Sequence, residues 1–247
     1  MSAVTSVVVA LIGLQATQDV VPAAWEFTER PGIAMASARY ASGQALAIRC
    51  AEGQIETILA GAATTPDQLV LTVRFDDGPP LPQSWLTLQA GGVAYALDPR
   101  FTARQLAAAS RVSIRVPASE GPARRFDLDL PASAEAITMV LDRCGASSLG
   151  PRDALTRVSS EVRWDRRPIP AYPDRALRHQ VAGVVGLSCV VGEGGRPRNC
   201  QTEMVAPTGY GFETAAEQAA QEARLTLTDP GDEGRVVSFA MRFNMPR

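Results

Sequence analysis

Four thiols, one imidazole and two close pairs of carboxylates are the reactive groups of this 247-residue chain. Cys50, Cys144, Cys189 and Cys200 can ligate a metal, act as nucleophiles or close disulfides. No two of them make a C-x-x-C pair, and a zinc site would need distant thiols to converge with the lone His179. A Ser or Cys nucleophile needs a base, and His179, following Arg178 in a short polar stretch, reads as a helix-end surface residue. Asp76 and Asp77 precede Gly78-Pro79, while Asp127 and Asp129 share one face of an expected strand. A turn and a solvated strand face account for them more simply than a glycosidase-like pair does. Gly192 to Gly195 does not lead into a helix, so it is no phosphate loop. The expectation is a protein that is not an enzyme, with no catalytic residue, no cofactor and no metal.

Disulfides suit the four cysteines best. Their number is even, and all fall after the first 23 residues. Three pairings exist for four thiols, and locality favours Cys50 with Cys144 and Cys189 with Cys200. Export agrees with this. Ala3 to Leu14 is an almost unbroken apolar run, followed by Gln15-Ala16-Thr17 and the first charge at Asp19. The run has the length of a signal-peptide core and is short of the roughly 20 residues of a membrane span. Residues 1–23 are expected to be a signal peptide or N-terminal hydrophobic segment, with cleavage near Ala16 or Ala23 favoured over a retained anchor. No Lys or Arg precedes the run, unlike the usual positive n-region.

Bulk composition, 46% hydrophobic and 20% charged, is that of a globular protein, and the net charge of -2 supplies no field to gather phosphates. A nucleic-acid partner is therefore not expected. All 24 basic residues are Arg, which GC-rich codon usage explains without invoking a special recognition role.

Short strands dominate the text from 24 to 146. Ile33 to Tyr40, Ala45 to Cys50, Ile55 to Leu59, Leu69 to Phe75, Trp85 to Leu88, Val93 to Leu97, Val112 to Val116 and Phe126 to Leu130 are separated by Gly, Asp and Pro turn signals. Two helices join them. Thr102 is expected to cap one through Ala109, and Ser133 another from Ala134 to Arg143, with Gly145 as its stop. A Cys50–Cys144 bridge would close a loop of about 95 residues and contribute about 4–5 kcal/mol on the loop-entropy model. Residues 147–167 read as an Arg-rich, solvated linker with a short helical or extended piece.

The C-terminal stretch alternates helix and strand signals. Pro173 suits the first turn of a helix over Asp174 to Gln180. In the next strand Val185, Leu187, Cys189 and Val191 share one face. With Gly194 and Gly195 as the central residues of a two-residue primed turn, Cys189 falls opposite Cys200. Such a pair stands about 4.5–5.5 Å apart between Cα atoms, within disulfide reach. A helix is expected over Phe212 to Leu225. Val236 to Met245 then alternates, Val237, Phe239, Met241, Phe243 and Met245 pointing one way. The fold class is α+β: a β-rich N-terminal domain with two helices, then a small domain with two helices on an antiparallel sheet of about three strands.

Three stretches in this order carry a family resemblance. They are Pro170 to Ala176, opening Tyr172-Pro173; Gly183 to Val191 with Gly192 to Cys200; and Pro207 to Ala216. Together they resemble the C-terminal domain of TonB-type energy transducers, over residues 168–247. The resemblance implies a periplasmic protein that binds an outer-membrane receptor or another envelope protein. It implies recognition of an extended peptide at a sheet edge. The expected contact strand is Arg235 to Met245, naming Arg235, Val237, Phe239, Met241, Arg242, Phe243 and Met245, with Tyr172 beside it. For Tyr172 a packing role is the simpler reading, and for Arg242 a solvated charge is an equal one. Exchange of the last strand would give a homodimer, and an uncleaved N-terminal run would tether the chain to the inner membrane.

Departures from the family accompany the match. The N-terminal run carries no His, the 18 prolines are scattered, and a folded domain stands where the transducers have a Pro-rich spacer. Leu225 to Pro230 lacks the aromatic-Pro ending common in the family. Binding without energy coupling, as an envelope adaptor, is the alternative reading.

Overall fold

A computed structural model describes residues 22, 24–62, 67–87, 92–118, 122–147, 149, 151–158, 162–227 and 229–245. The expected signal segment, except Pro22, lies outside these residues, as does Leu88 at the end of an expected strand. Among the described residues no helix is long and apolar enough to cross a membrane.

The first part comprises β1 (Glu26–Arg30), β2 (Ile33–Arg39), β3 (Ala45–Ala51), β4 (Gln54–Ala60), β5 (Asp67–Phe75), β6 (Leu81–Thr87), β7 (Val93–Ala96), α1 (Pro99–Ala108), β8 (Arg111–Val116), β9 (Arg124–Asp129) and α2 (Glu135–Arg143). Its nine strands form one sheet in the order β1-β2-β3-β4-β7-β6-β5-β8-β9. Every neighbouring pair is antiparallel. Alternation does the sorting: Leu46, Ile48 and Cys50 on β3, and Ile55, Thr57 and Leu59 on β4, are buried while their neighbours are half-exposed. Each fully buried large aliphatic contributes about 1.5–3 kcal/mol. Thr57 is tolerated there because its hydroxyl donates to Pro99 O at 2.8 Å. Ala34, Ala36 and Ala38 present a shallow surface on β2, and Ile137, Val140 and Leu141 of α2 belong to the same core. The Cys50–Cys144 disulfide, with Cα atoms 5.6 Å apart, ties β3 to the end of α2.

Three expectations need correction here. The helix assigned to Thr102 to Ala109 begins at Pro99, because proline fits the first turn without losing a bonded N–H. Thr102 lies inside it and donates its hydroxyl to Asp98 O at 2.9 Å. In α2 the first helical residue is Glu135, whose N–H reaches Ser133 Oγ at 3.4 Å. Strand β1, missing from the expected list, carries one apolar residue, Phe27. The turn at Pro31-Gly32, with Gly32 at φ 77°, and pairing with β2 make it a strand.

The second part contains β10 (Arg163–Arg166), α3 (Asp174–Arg178), β11 (Gly183–Val191), β12 (Pro197–Ala206), α4 (Phe212–Glu222), β13 (Arg224–Thr226) and β14 (Val236–Phe243). Strands β12, β11 and β14 form an antiparallel sheet in that order, and β10 pairs with β13. Val185, Leu187, Cys189 and Val191 pack with Ala176, Phe212, Ala216, Ala220, Phe239 and Phe243. The helix expected to reach Leu225 ends at Glu222, since Leu225 is buried in a strand paired to β10.

The β11–β12 turn also differs from expectation. Gly192 N–H donates to Arg196 O at 2.8 Å, leaving the three residues 193–195 in the turn. A bulge between Ser188 and Val190 restores the register, so the Cys189–Cys200 disulfide still closes, with Cα atoms 4.1 Å apart. Gly195 sits at φ 76°, and a Cβ there would lie 2.2 Å from Leu225 O. Only glycine lets the turn pack against β13 so closely.

The outer face of the small sheet is covered too. Val184 and Met204 bury against Leu86 of β6 and Leu97, with Ala206 and Ala240 beside them. Gly186 has no room for a Cβ, which would stand 2.7 Å from Met204 Cγ. The segment expected as a solvated linker helps to join the two parts. A 3₁₀ turn spans Pro151–Ala154, Arg157 bridges to Val236, and Arg157 is only 10% exposed. Arg152 and Arg157 are drawn from solvent by partners in the two parts, Ser188 and Asn199 O for the first and Asp98 for the second, whereas Arg163, Arg166 and Arg167 stay exposed as expected.

Candidate functional site

Strand β14 is an edge of its sheet. Alternation decides which of its backbone groups point outward. Val191 N–H donates to Arg235 O at 2.8 Å, so the odd-numbered residues of this strand turn their backbone groups to β11. Val236 faces the other way, donating to Thr156 O at 2.8 Å and accepting from Val158 N–H at 3.0 Å. The same alternation turns the N–H and C=O of Ser238, Ala240 and Arg242 outward.

This changes what each expected contact residue can do. Val237, Phe239, Met241 and Phe243 are buried in the core, and their backbone groups bond to β11. Their side chains set the strand's position and offer nothing to a partner. Arg242 is exposed, Arg235 is half-buried and reaches Asp232 at 3.2 Å, and Met245 receives the Tyr172 hydroxyl at 3.2 Å. Tyr172 also donates to Val181 O at 2.6 Å and lies edge-on to Phe212 and Phe243, each at 6.1 Å. It is a packing residue. Ser238 and Ala240, absent from the expected list, are the positions whose main chain the edge presents. Strand periodicity counted outward from the β11 register would have found them.

A second polar site lies at the junction of the two parts. Asp98, Arg100, Arg104, Arg152, Asp153 and Glu203 line a cleft of about 260 Å³. Glu203 of β12 is 8% exposed and accepts a short hydrogen bond from the Ser188 hydroxyl. Among the described residues its Oε2 has no hydrogen-bond partner. Arg152 donates to Ser188 Oγ at 3.0 Å and to Asn199 O, and Arg104 pairs with Asp153. Burial pushes the Glu203 carboxyl above the usual range, and the Asp98 carboxylate adds to the rise against Ser188, Arg100 and Arg152. Burial also lowers the Arg152 guanidinium.

A carboxyl whose folded pKa exceeds its unfolded value holds its proton more tightly when folded. The stability it confers is complete below the unfolded value and is lost as pH rises through the folded one. The thermal stability of the wild type is therefore expected to fall as pH climbs above the ordinary glutamate range. Glu203→Gln should match the wild type in acid and become the more stable protein towards neutral pH. Parallel melting curves of the two proteins at all pH values would remove Glu203 as the source.

Of the remaining reactive groups, His179 is exposed at the end of α3, and its ring stands 6.2 Å from that of Tyr210. Asp76 accepts from Ser110 N–H, Ser110 Oγ and Arg111 N–H, a turn-fixing role, and the Ser110 hydroxyl leads the effects that lower its pKa. Asp127 and Asp129 pair with Arg125 and Arg111 on the surface. Among the described residues no group of three or more His, Cys, Asp or Glu could hold a metal.

The C-terminal part is an α+β domain in which two helices and an antiparallel sheet leave an edge strand beside a short β-ribbon. Residues 168–245 match the family model described as the Gram-negative bacterial TonB protein C-terminal. That family consists of non-enzymatic protein-interaction domains of the cell envelope, whose members interact with outer-membrane receptors. No curated protein matches the chain.

Proposed function

We propose that the chain is an exported periplasmic protein whose C-terminal domain binds an extended peptide of an outer-membrane receptor or another envelope partner by adding a strand to β14. The observation that carries this reading is the outward main chain of Ser238 and Ala240 on an edge strand. Main-chain hydrogen bonds would supply affinity. The domain boundaries are taken as 24–146 and 168–247, with residues 1–23 removed on export.

An NMR titration of the chain from residue 24 onward, disulfides intact, with N-terminal peptides of outer-membrane receptors tests this. The expected result is amide shifts concentrated at Ser238, Ala240 and Arg242. Absence of shifts at millimolar peptide would reject strand addition. It would leave the second reading, an envelope adaptor without energy transduction. Burial of the small sheet's outer face against the first part favours that reading, because it joins two folded parts into one surface.

A further inference from the structure

The outer edge of β14 is already occupied at one rung by a parallel bridge. Thr156 O accepts from Val236 N–H, and Val158 N–H donates to Val236 O, a parallel bridge centred on Arg157 and Val236. These are the bonds a partner strand would make at that rung. The strap is held from the side by the first part of the chain. Arg157 Nε and Nη2 both reach Asp98 Oδ2 at 2.9 Å, with the two side chains 10% and 13% exposed. The guanidinium carbon lies 3.7 Å from the centre of the Phe101 ring, and Nη1 donates to Leu155 O at 2.7 Å. An ion pair so enclosed is costly to break from one side, since the remaining charge stays buried. Past this rung the outward groups belong to Ser238 and Ala240.

We propose that Thr156–Val158 is an intramolecular stand-in for a partner strand and that the Asp98–Arg157 pair is the clasp that keeps it on β14. The inference rests on β14 being the docking edge. The N-terminal domain thereby governs how much of that edge is open: with the clasp closed, a peptide has only the stretch from Ser238 onward, and with it open the edge extends to Val236. Asp98 is chosen for the test because it lies on the first part and its side chain pairs with Arg157.

The experiment compares the full chain with its Asp98→Asn variant by amide hydrogen exchange, then adds a synthetic peptide of residues 155–162 as the probe strand. In the variant, the Val236 and Val158 amides are expected to exchange at least about tenfold faster, while Leu187 and Phe239, bonded within the sheet, keep their rates. The probe should bind the variant about tenfold more tightly, with protection of Val236. Wild-type exchange at Val236 in the variant would overturn the clasp, and probe shifts at Ser238 and Ala240 of the wild type would then show the docking edge surviving it. Faster exchange with no probe binding to either protein would uphold the clasp and overturn the docking edge, and with it the stand-in role of Thr156–Val158. Should Leu187 lose protection as well, Arg157→Gln repeats the comparison from the other side of the pair, with the same outcomes.

Discussion

Replacing Cys50 and Cys144 together by Ala is expected to cost about 4–5 kcal/mol of unfolding free energy. Replacing Cys189 and Cys200 should cost about 3 kcal/mol. The difference comes from the loops they close, with sequence separations of 94 and 11. The longer bridge removes more freedom from the unfolded chain, and it also clamps the element that seals the first core. Helix α2 is nine residues long, too short to persist alone, and is otherwise held by Ile137, Val140, Leu141 and an exposed Arg143–Glu29 ion pair. For a domain stable by about 5–15 kcal/mol the loss is a large share. Denaturant titrations of the two double variants against the oxidised wild type measure it. Equal destabilisation by the two would refute the loop-entropy account.

Phe212→Ala should be comparably severe, at about 3–5 kcal/mol. Its ring is fully buried, 4.7 Å from that of Phe243 and near those of Tyr172 and Tyr210. It also rests directly on the backbone of Gly183, where a Cβ would stand 2.4 Å from the ring. Gly183→Ala is therefore expected to cost about 1–3 kcal/mol by overpacking. The two changes press on the same space from opposite sides. The double variant should be clearly less destabilised than the sum of the single ones, because removing the ring makes room for the methyl group. Additive losses in a double-mutant cycle would mean that the glycine matters for its backbone conformation and not for the ring.

Both effects bear on function through position. Phe212 and Phe243 hold β14 against β11, and the register of that pair determines which backbone groups face a partner. A loosened core would therefore weaken peptide binding even though neither ring is exposed.

Much of the architecture was legible in residue order. Strands β3 and β4 follow from strict alternation, β2 from an apolar run between turn glycines, and the second core from Val185 to Val191 and Val237 to Phe243. The cysteine pairing followed from locality. Strand β1 was not legible, because a strand of charged residues with one Phe has no periodic signal until a partner fixes it. Nor was β13: Arg224 to Thr226 continues a helical pattern, and burial of Leu225 against β10 outweighs that propensity.

The candidate site divides the same way. Residue order is enough to show that the last strand is amphipathic, that its core face carries Val237, Phe239, Met241 and Phe243, and that this part resembles a TonB C-terminal domain. Periodicity and turn chemistry are local, and they survive without knowledge of neighbours. Packing settles the rest: that β14 is an edge, that Ser238 and Ala240 present its main chain, and that Arg157 leaves the solvent to meet Asp98 and Phe101. Those outcomes depend on which backbone groups lie side by side and on charges brought together across 59 residues of sequence. Neither follows from the order of residues along any one segment.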